Sequence, residues 1–374
     1  MSNVRFTTWY ADRTRGQALL ILAITSAALA WLLSAALLKR NDAHAPAQGG
    51  NDLRLYRSIV ERVHAGENYY DAAGTELRAR GYPTGSVFNW RAPVYAWVLG
   101  KLPAPVWGQV LLALLAIVTL LMAVGVLQRE AGTWPAAAGV LLLLGPFVWC
   151  IDGDAFFAQE LWAGVLITFS VCAYGYGRWP MGLGAGLCAL FFRELTLPYC
   201  LIAAGLAWRQ GRRREVLAWV AGFALYAIFL AFHAREVLAR VTPADRVPGS
   251  WLQFGGAPFL LATCRMNVFL FALPAWVSAL YLPLSLLGLL AWRGPVGTRL
   301  ALTAGTYVAA FSIVGQPFNN YWGLLYTPLL SFGIVRAPVA LIDLCKAIVR
   351  PMSAWKSTPA QPGSAQSCTI IVGS

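Results

Sequence analysis

Asp52 stands in Gly49-Gly50-Asn51-Asp52-Leu53-Arg54-Leu55-Tyr56, just after the first long apolar run of the chain. A carboxylate at a water–lipid boundary can take the proton of an incoming hydroxyl while nearby arginines hold an anionic leaving group. Helix capping accounts for the same residue, because Asp and Asn are ordinary N-caps. Asp152 and Asp154 lie in a short gap between apolar runs, with Glu160 further along in the first turns of the next helix. Two carboxylates at one membrane face could hold a divalent cation, Mg²⁺ or Mn²⁺, through their oxygens, or set a second acid opposite Asp52. Turn chemistry explains Asp152-Gly153-Asp154 equally well. Glu160 is different: an ionisable group inside a span is expensive and marks a functional site by default, with an arginine-paired structural acid as the alternative.

Arg193 and Glu194 form a charge pair in apolar surroundings, next to a helix break. A buried Arg can grip a phosphate with two parallel hydrogen bonds, although a mutual ion pair would serve the bundle alone. Arg91 and Arg265, with Arg235, Arg240 and Arg246, supply further cations that could equally face lipid headgroups. Tyr69-Tyr70, Trp90, Tyr95 and Trp97 form either an interfacial belt or platforms for stacking on sugar rings. His44, His64 and His233 are isolated, and neither a P-loop nor a His-Asp-Ser grouping appears, so nucleotide-driven transport has no support. The seven cysteines include no C-x-x-C and sit mostly in apolar runs, which argues against a zinc or redox site.

The elements that position these groups follow from composition. Of 374 residues, 58% are hydrophobic and 12% charged, and mean hydropathy is +0.59, which excludes a water-soluble fold. Apolar stretches of roughly 20 residues recur, each long enough to cross a bilayer as a helix. The net charge of +13 is carried mainly by short gaps between those stretches, as topology signals rather than a nucleic-acid surface. The pattern predicts an all-α polytopic protein of about ten spans: 17–38, 106–127, 134–151, 155–177, 181–192 with 195–208, 216–234, 267–292, 298–314 and 321–345. The first run is longer than the apolar core of a cleavable signal peptide and reads as a retained span, despite the small-residue site Ala43-His44-Ala45.

Residues 39–92 form a large external loop with six acidic and eight basic residues. Within it Leu53, Tyr56, Ile59, Val60 and Val63 repeat at helical spacing, predicting an interfacial amphipathic helix, with a second short helix over Asp71–Arg80. Ten spans with both termini cytoplasmic put Arg129, Arg178, the 209–214 cluster, Arg293, Arg299 and Lys346 on the inner side, as the positive-inside rule asks. Residues 1–352 thus form one transmembrane domain, and 353–374, rich in Ser, Pro, Gly and Gln, a disordered cytoplasmic tail.

Asp52-x3-Tyr56, Gly66-x2-Tyr69-Tyr70, Gly81-Tyr82-Pro83, Pro93-x-Tyr95 and Leu102-Pro103 together resemble the first external loop of GT-C fold glycosyltransferases. These are polytopic enzymes that use polyprenyl-phosphate sugars, and the likeness is to their bacterial mannosyltransferase-like branch. The Phe192-Arg193-Glu194 tip and the stretch from Asn320-Tyr321-Trp322 to Tyr326-x-Pro328 are similar to that class too. The resemblance implies an acidic catalytic residue in the first external loop, matched here by Asp52, and a second acid in the next, which Asp154 or Asp152 would fill. The first loop carries one Asp where protein mannosyltransferases carry an Asp-Glu pair. This argues against protein O-mannosylation and leaves metal dependence open.

The resulting expectation is a glycosyltransferase of the bacterial inner membrane whose site faces away from the cytoplasm. Its partners would be a polyprenyl-phosphate sugar donor, a glycan, lipid or lipid-linked acceptor, and membrane lipids. Asp52 would act as general base with Asp154 and Glu160 as further catalytic acids, and Arg91, Arg193, Glu194, Arg265, Tyr69 and Tyr70 would bind substrate. Two rival classes remain: a transporter or flippase for a lipid-linked or anionic substrate, with Glu160, Arg193 and Glu194 as pathway residues, and a non-catalytic envelope-assembly subunit.

Overall fold

The computed structural model describes residues 7–38, 49–247, 249 and 252–350. The site Ala43-His44-Ala45, Cys368 and the tail 353–374 lie outside the described residues. Among those described the fold is helical, with no strand beyond an isolated bridge between Leu252 and Val314.

The first apolar run becomes α1 (Arg15–Leu38). The polar stretch that follows folds as α2 (Gly49–His64), α3 (Tyr69–Ala79) and the short α4 (Val94–Gly100). Asn68 caps α3 by accepting from the Tyr70 amide at 2.9 Å. Next come α5 (Val106–Ala131), α6 (Thr133–Phe147), α7 (Gln159–Gly175), α8 (Trp179–Phe192), α9 (Leu197–Arg209) and α10 (Arg213–Leu238). The remainder comprises α11 (Gly256–Cys264), α12 (Val268–Ala272), α13 (Ala275–Leu290), α14 (Gly294–Ile313), α15 (Thr327–Ile334) and α16 (Ala337–Val349).

Four of these are long and apolar enough to cross a membrane: α1, α5, α6 as continued to Cys150, and α10. They leave large apolar side chains such as Leu20, Ile24, Leu121, Leu217 and Ile228 exposed, as a lipid-facing surface does. The protein is a helical membrane protein. The expected ten continuous spans are not all present in that form. The run 267–292 divides at Leu273-Pro274, where proline forces its predecessor out of the helical region. The run 321–345 divides into a 3₁₀ segment (Pro317–Leu325), α15 and α16; Pro328 and Pro338 each begin a new helix, the position where a missing N–H costs least.

Helix α7 is buried on every side from Gln159 to Thr168 and forms the axis of the bundle. Its Gly164 lets the backbone of Leu324 seat directly against it, and a Cβ there would collide with the Leu324 carbonyl. This contact fixes the Pro317–Leu325 segment.

The two ends of the bundle differ. At one end Trp9 N–H donates to the Ala291 carbonyl at 3.0 Å, Thr8 bonds Asp343 at 2.8 Å and Arg293 pairs with Asp12 at 2.7 Å. Both ends of the described chain therefore meet the α13–α14 turn. Arg299 stacks 3.6 Å over Tyr174 and Arg129 4.3 Å over Tyr176 at that same end. The opposite end is built by α2, α3, α4, the α8–α9 break and the Pro317–Leu325 segment.

Candidate functional site

Helix α2 is amphipathic, and its buried side is Leu55, Tyr56, Ile59 and Val60, while Arg54, Arg57 and Glu61 are exposed. Leu53 and Val63, expected on the buried side, are only partly covered. Asp52 lies one turn before Tyr56, so both point the same way. It sits inside the first turn of α2 rather than ahead of it. Its carboxylate is bonded by two phenols: Tyr82 donates to Oδ1, and Tyr321 donates to Oδ2 at 2.8 Å. The acid is thus held by side chains from two distant segments, an arrangement that helix capping does not require. Burial and then the bond to Asp52 raise the Tyr82 hydroxyl above its ordinary range, so it stays protonated and remains a donor at neutral pH.

A cavity of about 330 Å³ opens beside this carboxylate. Polar groups of Asp52, Arg91, Asn89, Gln316, Asn319 and Tyr321 share its walls with Leu55, Leu77, Pro83 and Phe318. Asn319 Nδ2 donates to the Tyr321 hydroxyl at 3.3 Å, and its Oδ1 accepts from the Gln316 amide at 3.0 Å, so the wall is itself a hydrogen-bonded unit. Amides and hydroxyls over an apolar floor suit a polyol ring, which offers both C–H faces and hydroxyl edges.

Arg91 is the only non-glycine residue with positive φ among the described residues, at 53°. Such a conformation costs about 1–3 kcal/mol and persists only where surroundings impose it. The Tyr69 hydroxyl imposes it here, by donating to the carbonyls of both Trp90 and Arg91. The resulting turn directs the Arg91 guanidinium to the cavity wall, where Nε donates to Tyr56 Oη and NH1 to the Phe88 carbonyl, each at 3.2 Å.

Behind Arg91 runs a buried ionic network. Helix α8 ends at Phe192 and Arg193 adopts extended dihedrals, producing the expected break before α9. Glu194 bonds Arg193 closely and reaches Arg91 NH1 at 3.5 Å, and Arg193 Nε lies 2.7 Å from Glu160. Arg193 and Glu160 are sealed from solvent, and neither they nor Glu194 line the cavity. Burial of two charges is tolerable only because each neutralises the other. Glu160, expected as a catalytic acid, and Arg193, expected as a phosphate ligand, thus form a buried pair behind Arg91 and are not part of the cavity wall.

Other expected site residues fall elsewhere. Asp154 pairs with Arg57 at 2.9 Å on the exposed side of α2, and Asp152 is exposed. Among the described residues no group of three or more His, Cys, Asp or Glu side chains converges, and Asp154 is engaged by Arg57. Arg265 bonds the Phe271 carbonyl at 2.8 Å, closing the α11–α12 turn away from the cavity. Tyr69 and Tyr70 are buried edge-to-face against each other, which withdraws them from any stacking role; Tyr70 Oη lies 3.3 Å from His233 Nδ1.

Several contributors carry no local signal in the sequence. Tyr82 and Tyr321 belong to the motifs Gly81-Tyr82-Pro83 and Asn320-Tyr321-Trp322, yet nothing near them points to a carboxylate partner. Asp245 is a third such residue. It accepts from Arg78 Nε and NH2 at 2.9 Å, from Thr84 Oγ1 at 2.5 Å and from the Thr242 amide at 2.7 Å. These donors, Arg78 first, hold its carboxyl well below the ordinary carboxylate range. With the Gly85 amide donating to the Arg246 carbonyl at 2.8 Å, Asp245 ties the segment after α10 to the loop that carries Tyr82 and Arg91. Comparison with known proteins gives no matching family model, no matching curated protein and no matching solved structure.

Proposed function

We propose that this protein is a membrane glycosyltransferase that moves a sugar from a polyprenyl-phosphate donor to a glycan, lipid or lipid-linked acceptor. The observation that carries the reading is Asp52, held by two tyrosines at the wall of a cavity that also receives the strained Arg91. An acceptor hydroxyl gives its proton to Asp52 as its oxygen bonds the anomeric carbon. The bond from that carbon to the phosphate oxygen breaks, and the electron pair leaves on the lipid phosphate, whose charge meets Arg91. Tyr82 and Tyr321 keep the carboxylate in position, and the Asn319–Gln316 wall meets the sugar hydroxyls.

The accompanying topology is ten passages through a bacterial inner membrane with both termini cytoplasmic, the shorter helices making up the count. What supports this orientation is that the chain's beginning, Arg293, Arg299 and Arg129 share one end of the bundle, opposite the cavity. A transporter or flippase would use Glu160, Arg193 and Glu194 as pathway residues, but these engage one another and leave the cavity to Asp52 and Arg91. The test is incubation of the purified protein with a panel of polyprenyl-phosphate sugars, measuring release of polyprenyl phosphate. Acceptor-dependent release with one sugar is expected; background release across the panel contradicts the reading.

A further inference from the structure

The ionic network beside the cavity is neutral by itself. Arg91 and Arg193 are the two cations, Glu160 and Glu194 the two buried-side anions, and Asp52 adds one further negative charge at the wall. An anionic head group entering the cavity therefore meets a guanidinium that already has a carboxylate beside it.

The contacts within the network are unequal. Arg193 and Glu160 are 2.7 Å apart with side chains 1% exposed, a closed pair. Glu194 is shared: it bonds Arg193 closely but stands 3.5 Å from Arg91, and its side chain is 25% exposed. Arg91 lines the cavity, and its bonds to Tyr56 and to the Phe88 carbonyl are 3.2 Å, longer than charge-assisted hydrogen bonds usually are. The cation nearest the cavity is thus the one with the longer contacts.

The geometry points to Glu194 as a displaceable counter-ion that competes with an anionic head group for Arg91. A phosphate on the cavity side takes the Arg91 donors, and Glu194 remains with Arg193, to which it is already closely bonded. Its negative charge then sits behind the bound phosphate and weakens the hold on it. Glu194 in this way sets how tightly the site keeps an anion, and hence how readily a lipid phosphate departs after the sugar is lost. The choice of a prenyl phosphate as ligand rests on the function proposed above; the competition for Arg91 rests on the ionic network.

The test is titration calorimetry on the full chain in lipid nanodiscs, with farnesyl phosphate as probe, farnesol as the uncharged control and inorganic phosphate as the chain-free control. Glu194→Gln keeps the Arg193–Glu160 pair and is expected to bind farnesyl phosphate about tenfold more tightly, a change of about 1.4 kcal/mol. Inorganic phosphate should show the same ratio at weaker affinity, and farnesol none. Glu194→Asp, which keeps the charge but draws it off Arg91, should tighten binding about twofold to threefold and serves if the glutamine variant misfolds. Adding Arg91→Gln should abolish the gain. Unchanged or weaker binding by Glu194→Gln, or a gain that survives Arg91→Gln, overturns the proposal while leaving the glycosyltransferase reading intact. Absence of farnesyl phosphate binding by the unmodified protein and by Glu194→Gln overturns both.

Discussion

The two ends of the bundle solve the problem of placing arginines in a membrane protein in opposite ways. At the end holding the chain's beginning, Arg299 lies on Tyr174, Arg129 on Tyr176 and Arg336 donates to the Glu130 carbonyl at 3.1 Å. These guanidiniums rest on aromatic faces and backbone oxygens, Arg299 and Arg129 from helices and Arg336 from the turn before α16. At the cavity end Arg91 occupies a left-handed backbone position enforced by Tyr69, and the acid beside it is pinned by residues from two other segments. The strained non-glycine backbone position and the polar groups that converge on one carboxylate lie at the cavity end, and that is the difference on which the proposed site rests.

Substitutions can break this contrast. The largest effect on stability is expected from Arg193→Met, which leaves Glu160 buried without its counter-ion and should cost about 3–5 kcal/mol, measured as a fall in the denaturation midpoint. Arg91→Gln removes charged donors from the cavity wall without touching that pair. It should weaken prenyl phosphate binding about tenfold to a hundredfold, as loss of hydrogen bonds to a charged group does, with little change in melting. Tyr321→Phe and Tyr82→Phe each remove one donor from Asp52 and should slow transfer by about threefold to tenfold. Their effects should combine non-additively in the double variant, because both act on one carboxylate. Arg299→Gln, at the opposite end, should leave transfer rates unchanged, and a loss of activity there would erase the distinction between the two ends.

The smallest effect concerns pH. Asp245 has a folded-state pKa below its unfolded value, so its contribution to stability is fully present above the unfolded value, near pH 4. That contribution declines as pH falls toward the folded value. Asp245→Asn should therefore melt earlier than the unmodified protein at neutral pH, and the gap between them should close as the buffer is made strongly acidic. A gap that persists unchanged into acid would mean that the Arg78 and Thr84 contacts do not depend on the Asp245 charge.

Much of the frame was legible in the sequence because hydropathy and helical spacing are local. The first span, the amphipathic α2 with Tyr56, Ile59 and Val60 inward, the short α3, and the break at Arg193 all follow from residues within a few turns of one another. The divisions at Pro274, Pro328 and Pro338 lie inside runs whose average hydropathy is uninterrupted, so a window reads through them. The acid itself was legible, standing at the start of a polar loop after an apolar span. Its partners were not: Tyr321 is 269 positions away and Tyr82 30, and a tyrosine hydroxyl has no spacing rule that ties it to a distant carboxylate. The surroundings of Asp154 and Arg265 are not legible for the complementary reason. Sequence shows that a charge lies near a membrane face, but only packing decides whether it faces the cavity or pairs with an exposed Arg57.

The most direct test of the central claim is single-turnover release of polyprenyl phosphate by the purified protein and by its Asp52→Asn variant, with retained folding verified by melting. With Asp52 as general base, the amide should bind donor normally and slow the chemical step by roughly 10²- to 10⁴-fold. A folded Asp52→Asn protein that releases polyprenyl phosphate at the unmodified rate would contradict it.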